Sequence, residues 1–183
     1  MEDVNNWRTL SSRLIYENQW IKLKEDQVIA PSGAPGIYGY VESRMAVGVV
    51  SLTEEGEIYL VGQNRYPTKC YSWEIPEGGA EENETAIDAA KRELREETGL
   101  TATSWEPLGG EVHLSNCFTA ERAFIFLARG LTRGETDFDP TEKISKKTVP
   151  LKSALQMALN GEIVDGLSLI AIHRAALLLG AQG

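Results

Sequence analysis

The chain has 183 residues, 42% hydrophobic and 25% charged, with a net charge of −9. That length suits one domain with a full core, or one domain with a small appendage. The acidic balance excludes a general nucleic-acid binder, which needs a basic footprint, but leaves room for a small phosphorylated substrate met by a few arginines. Cys70 and Cys117 are too few for a disulfide framework and read as buried, reduced thiols. Residues 1–10 lack a basic stretch followed by an apolar core, so no signal peptide is expected. The most apolar segment, residues 167–179, is interrupted by His173 and Arg174 and is too short to cross a bilayer. The expected location is the cytoplasm.

Residues 7–45 read as β. Residues 16–29 alternate loosely, residues 30–33 (Ala-Pro-Ser-Gly) form a turn, and residues 38–44 return as a second strand. These pieces are too few for a core of their own, so they must pack on the main domain or on a second copy of the chain. The apolar, β-branched run 45–52 suits a buried strand. Residues 54–57 form a hairpin turn and residues 58–63 the return strand. Residues 65–67 leave that strand in a loop. Further strands are expected at 105–112 and 123–128, with the loop 113–122 between them and a polar, acidic loop at 132–141. Residues 148–151 make a short edge strand, because Pro150 cannot donate to a ladder. Residues 151–160 and 166–179 carry helical periodicity, broken at Asn160 and Gly161. This order predicts an α/β (α+β) protein with a mixed sheet covered by helices on both faces.

The most informative stretch is 78–100, a glycine-rich turn feeding a short acidic helix. Asn83 or Thr85 can cap its start, and Gly99 ends it. At 3.6 residues per turn Glu93 and Glu97 stack, with Glu96 beside them. Like charges at that spacing repel, whereas a hard divalent cation reverses the sign of the interaction. Ala86, Ala89 and Ala90 share the side of the glutamates, and Ile87, Ala90 and Leu94 form the adjoining apolar stripe. Glu84, Asp88, Lys91 and Arg95 take the opposite, wet side. The glutamates thus lie at the edge of a buried face, where carboxylates need partners. On the wheel alone, a metal site and an ordinary acidic surface remain open alternatives.

The spacing Gly78, five residues, Glu84, seven residues, then residues 92–100 (RELREETGL) resembles the Nudix box. Residues 16–23, 63–67, 73–76, 114–117 and 161–166 are similar to the ADP-ribose pyrophosphatase branch of that family. The resemblance implies a Nudix fold at residues 46–183, with residues 1–45 as an N-terminal antiparallel β-sheet extension for dimerisation and substrate recognition. It implies Mg²⁺, or Mn²⁺, held by Glu93, Glu97, Glu96 and the backbone carbonyl of Glu77, with Arg92 fixing a helix glutamate. It also implies a general base at Glu121, with Glu142 as the alternative. A carboxylate is already ionised at neutral pH and can take a proton. Arg65 and Arg44 match phosphate- and substrate-recognition positions, and Trp20 and Tyr38 match places where rings stack on the base. Ion pairing and ordinary sheet packing are the competing roles for these four.

The implied activity is metal-dependent cleavage of the diphosphate of ADP-ribose, or of a related nucleoside diphosphate sugar, by a homodimer whose N-terminal sheet reaches the active site across the interface, as it does in the family, often with exchange of that sheet between subunits. Residues 113–116 lack the proline that many ADP-ribose pyrophosphatases carry there, which leaves other nucleoside diphosphate derivatives such as GDP-mannose open. A non-catalytic nucleotide-binding module is the competing class, and it would be expected to lose the glutamates of the box.

Overall fold

The alternation before position 45 folds as an antiparallel sheet. A computed structural model describes residues 6–134 and 144–180. Strands β1 (Arg8–Glu17), β2 (Ile21–Ile29) and β3 (Pro35–Ser43) pair in the order β1-β2-β3. Asn18 shapes the first turn by accepting the backbone N–H groups of Trp20 and Ile21 at 2.8 and 2.9 Å. Residues 113–122 join this unit. The N–H of Val41 donates to the carbonyl of Phe118, and the N–H of Ala120 donates to the carbonyl of Val41. Strand β1 is exposed along its length, so Leu10, Leu14 and Tyr16 lie open to solvent.

The second unit comprises Met45–Val112 and Ala123–Gly183. Its strands are β4 (Ala46–Ser51), β5 (Glu57–Arg65), β6 (Cys70–Glu74), β7 (Glu77–Gly79), β8 (Leu100–Pro107), β9 (Ala123–Arg133) and β10 (Ser145–Pro150). The helices are α1 (Ala86–Thr98), α2 (Leu151–Leu159) and α3 (Gly166–Leu178). One sheet runs β7-β4-β9-β8, with β4 and β9 parallel, and a second runs β10-β5-β6. Side chains on the paired central strands alternate between two cores. Val47, Val49, Phe126 and Ala128 pack with Ala89, Ala90 and Leu94 of α1. Val50, Ile125 and Leu127 pack with Leu155, Leu167 and Ile172 of α2 and α3. The mixed sheet therefore lies between helices, as the element order predicts. Each large aliphatic chain so buried contributes roughly 1.5–3 kcal/mol.

Several local expectations change. The strand expected at 105–112 begins at Leu100 and ends at Pro107, because Gly99 turns at φ 75° and the chain enters the sheet at once. Strand β9 runs through Thr132 and Arg133, which were expected in a loop; residues 135–143 lie outside the described residues. Strand β6 was not anticipated, since its five residues carry little periodicity and only pairing with β5 makes it a strand. Both cysteines are exposed rather than buried. Cys70 opens an edge strand and Cys117 lies in the 113–122 loop. Thr85, not Asn83, caps α1, accepting the N–H of Asp88. No helix among the described residues is long and apolar enough to cross a membrane.

Candidate active site

Small residues bring α1 close to the sheet, and that approach delivers its glutamates to the backbone of β7. Ala89 and Ala90 are wholly buried, and Gly78 lies directly under Glu93. A Cβ built on Gly78 would overlap all three atoms of the Glu93 carboxyl group. Glu97 is buried, and its Oε2 accepts the backbone N–H of Glu77 at 2.9 Å. Glu96 is about one-third exposed at its side chain, 32%. The carboxylates of Glu93, Glu96 and Glu97 thus sit along one helix edge beside Glu77 and Gly78.

Arg92 organises this edge. Its guanidinium donates to Glu93 at 2.8 Å, to Glu96 at 2.9 Å and to the carbonyl of Gly79 at 2.9 Å. It also grips both oxygens of Glu84, at 3.0 and 2.9 Å. Glu84, expected on the wet side, is instead Arg92's bidentate partner. It precedes the helix, so the helical wheel does not describe where it points. The pairing with Arg92 lowers the Glu84 pKa. That support is present at neutral pH and is lost as acidification passes the folded-state value. The glutamates of Glu84 first, then Glu93 and Glu96, hold the Arg92 proton more firmly than usual.

A second cluster lies on the other side of Glu77. Arg65 donates its Nε to both oxygens of Glu74, at 2.9 and 3.0 Å, and its Nη2 pairs with Glu74 and, at 2.9 Å, with Glu77. Glu74, Glu77 and Asp165 offer oxygens within 4.8 Å of one another. Sequence reasoning missed Glu74 and Asp165 as site residues, although both fall in segments 73–76 and 161–166 that carried the family resemblance. Burial raises the Glu77 pKa well above the ordinary carboxylate range, reinforced by Asp165 and Glu74 and offset in part by Arg65. The folded protein therefore binds this proton more tightly than the unfolded chain. Stability must fall as pH rises from the ordinary carboxylate range towards the raised value. Glu77→Gln keeps an acceptor for Arg65 and removes the charge. In metal-free protein it is expected to flatten that dependence and to gain about 1 kcal/mol at the alkaline end, roughly 2–4 °C in Tm. Thermal denaturation across pH in the presence of a chelator measures this.

Trp20, Tyr38, Arg44 and Glu121 belong to the first unit. Trp20 is 62% exposed beside the hairpin turn, and Arg44 donates to the carbonyl of Gln19 at 3.1 Å, next to it in sequence. Tyr38 donates its hydroxyl to the carbonyl of Cys117 at 2.7 Å and meets Trp7 edge to face at 5.4 Å. A shallow cleft of about 180 Å³ is lined by Tyr38, Tyr40 and residues 116–120. Glu121 is half-buried, with its N–H donated to Thr119 Oγ1 at 3.1 Å. Glu142 lies outside the described residues. His113 is exposed. His173, on α3, bonds the carbonyl of Leu169 through Nδ1 at 2.7 Å.

The donor set at α1 fits a hard divalent cation. It is all oxygen, it carries excess negative charge, and Gly78, lacking a side chain, lets the Glu93 carboxylate lie directly against the backbone. Acidic helix, glycine turn and helix-covered mixed sheet together define a Nudix pyrophosphohydrolase. The NUDIX domain matches residues 42–165, and the chain belongs to that family. The nucleoside diphosphate sugar hydrolase N-terminal domain matches residues 7–41. The chain is 30% identical to the ADP-ribose pyrophosphatase of Mycobacterium tuberculosis, over 92% of this chain and 84% of that protein. It is 31% identical to the ADP-ribose pyrophosphatase of Bacillus subtilis, over 91% and 90% respectively. A crystal structure of an ADP compounds hydrolase superposes with a TM-score of 0.83 at 18% identity, covering 97% of this chain and 96% of that one.

Proposed function

We propose that the protein hydrolyses the diphosphate of ADP-ribose, or of a related nucleoside diphosphate sugar, to a nucleoside monophosphate and a sugar phosphate. The observation that carries this reading is the seating of Glu93 on Gly78 beside the buried Glu97. Glu93, Glu96, Glu97 and the carbonyl of Glu77 would hold Mg²⁺, or Mn²⁺ in its place. When bound, the ion neutralises the diphosphate and activates a water for attack on phosphorus. Arg92 keeps two of the carboxylates in register. Arg65, partly exposed, has its Nε and Nη2 committed to Glu74 and Glu77 and would meet a phosphate oxygen through its remaining Nη1. Glu121 takes the role of general base, with Glu142 as the alternative.

In this reading residues 1–45 form the recognition and dimerisation extension of a Nudix domain at residues 46–183. Trp20, Tyr38 and Arg44 meet the nucleoside end of the substrate. The open apolar side chains of β1 support a homodimer, since leaving Leu10, Leu14 and Tyr16 exposed to water is costly. The cytoplasm is the proposed location, and nucleic acid and membranes are not partners. The named ADP-ribose pyrophosphatases match over most of their length, which favours ADP-ribose. The missing proline at 113–116 favours keeping other nucleoside diphosphate derivatives, GDP-mannose among them, in the test. A non-catalytic nucleotide-binding module ranks far lower, because Glu93, Glu96 and Glu97 are all present.

A panel of nucleoside diphosphate sugars and nucleoside triphosphates, incubated with Mg²⁺ and Mn²⁺ and followed by product identification, tests this. Release of a nucleoside monophosphate with a sugar phosphate, abolished by chelator, is the expected result. No turnover anywhere on the panel would reject the enzymatic reading.

A further inference from the structure

Residues 75–80 connect the two carboxylate clusters, and nearly every residue of that segment is tied down. The carbonyl of Pro76 accepts the N–H of Val49 at 2.8 Å, and the N–H of Ala80 donates to Met45 at 2.8 Å. The N–H of Glu77 donates to Glu97 Oε2. The remaining tie comes from far along the chain. The N–H of Ile75 donates to the hydroxyl of Ser168 at 3.0 Å. Ser168 lies in the first turn of α3 and is completely buried, as is Ile75. Its own position is set by Asp165, whose Oδ2 caps the helix by accepting the N–H of Ser168 at 2.7 Å. Close packing leaves this junction little room to drift. A Cβ on Gly48 of β4 would meet Ile75 at 2.8 Å and Leu167 at 3.2 Å.

We propose that Ser168, held by Asp165, is a positioning residue for the metal-binding carboxylates. The inference rests on the metal reading given above. The path is short and continuous: α3 sets Ser168, Ser168 sets Ile75, and two residues later the Glu77 N–H sets the orientation of Glu97. Groups bonded directly to a ligand commonly change metal affinity about 10–100-fold when removed; Ser168 acts a step further back, through Ile75, so the lower end of that range is expected. A hydroxyl that only satisfied a buried amide would cost stability and leave metal affinity alone.

The test is Mn²⁺ binding without nucleotide, read from the electron paramagnetic resonance signal of the free ion. Ser168→Ala is expected to weaken Mn²⁺ binding about tenfold. Ile172→Val, a buried truncation on the same helix away from the network, is expected to lower Tm without changing Mn²⁺ affinity. Should Ser168→Ala not fold, Ser168→Cys, similar in size but a weak acceptor, carries the same expectation. Unchanged Mn²⁺ affinity in a folded Ser168 variant overturns the proposal while leaving the metal site standing. Failure of the unmodified protein to bind Mn²⁺ at all overturns the metal reading and the proposal with it.

Discussion

Glu97→Gln is expected to lower kcat/KM on the order of 10³-fold, equivalent to about 4 kcal/mol of transition-state stabilisation. The side chain is 5% exposed and shaped by its surroundings. Glutamine fills the same volume, and its carbonyl oxygen can still accept the N–H of Glu77 that Oε2 accepts now. The fold should therefore persist. What disappears is one unit of negative charge, at a place where Glu93 and Glu96 already crowd the helix edge. In the metal-free protein that loss relieves repulsion, so Tm should hold or rise slightly. On the proposed metal reading, the missing charge weakens ion binding and with it turnover. Steady-state kinetics and thermal denaturation of the same sample separate the two effects. Full activity in the variant would remove Glu97 from the metal site.

Gly78→Ala should cost at least about 10²-fold in turnover, for a different reason. The added methyl falls on the Glu93 carboxylate, with the farther oxygen only 2.5 Å away. The strand cannot retreat easily, because Gly78 pairs with Val47 and the hydrogen bonds of Pro76 and Ala80 anchor both flanks. Glu93 must therefore leave its rotamer and give up its place beside Arg92. Gly110→Ala is a matched control, since a Cβ there meets nothing within 4 Å, and it should leave turnover unchanged. A Gly78→Ala enzyme as active as the control would show that Glu93 does not work from the seat it occupies. The two variants are complementary: one removes a charge without moving atoms, the other moves a charge without removing it.

Much of this protein is legible from local pattern. The period of 3.6 places Glu93, Glu96 and Glu97 on one edge of a helix, and the apolar runs at 45–52 and 123–128 mark the central strands. Those features depend on neighbours a few residues away, so a single sequence carries them. Hydrogen-bond pairing across the chain is another matter. The five residues of β6 carry too little periodicity to announce a strand, and Cys70 opens an edge that no hydropathy value reveals. Cys117 sits on a loop whose exposure depends on where the chain returns. Glu84 lies just outside the helix, where the wheel has nothing to say, and its role follows from the reach of Arg92.

The helix, its acidic edge and the glycine turn before it follow from spacing along a few turns of backbone, so residue order is enough to specify them. How those carboxylates are held is set by tertiary packing. It placed Gly78 beneath Glu93, gathered Glu74, Glu77 and Asp165 around Arg65, and tied Ile75 to Ser168 across 93 residues. The physical reason is that burial makes every polar group find a partner, while the identity of that partner depends on which distant strand or helix the fold brings alongside.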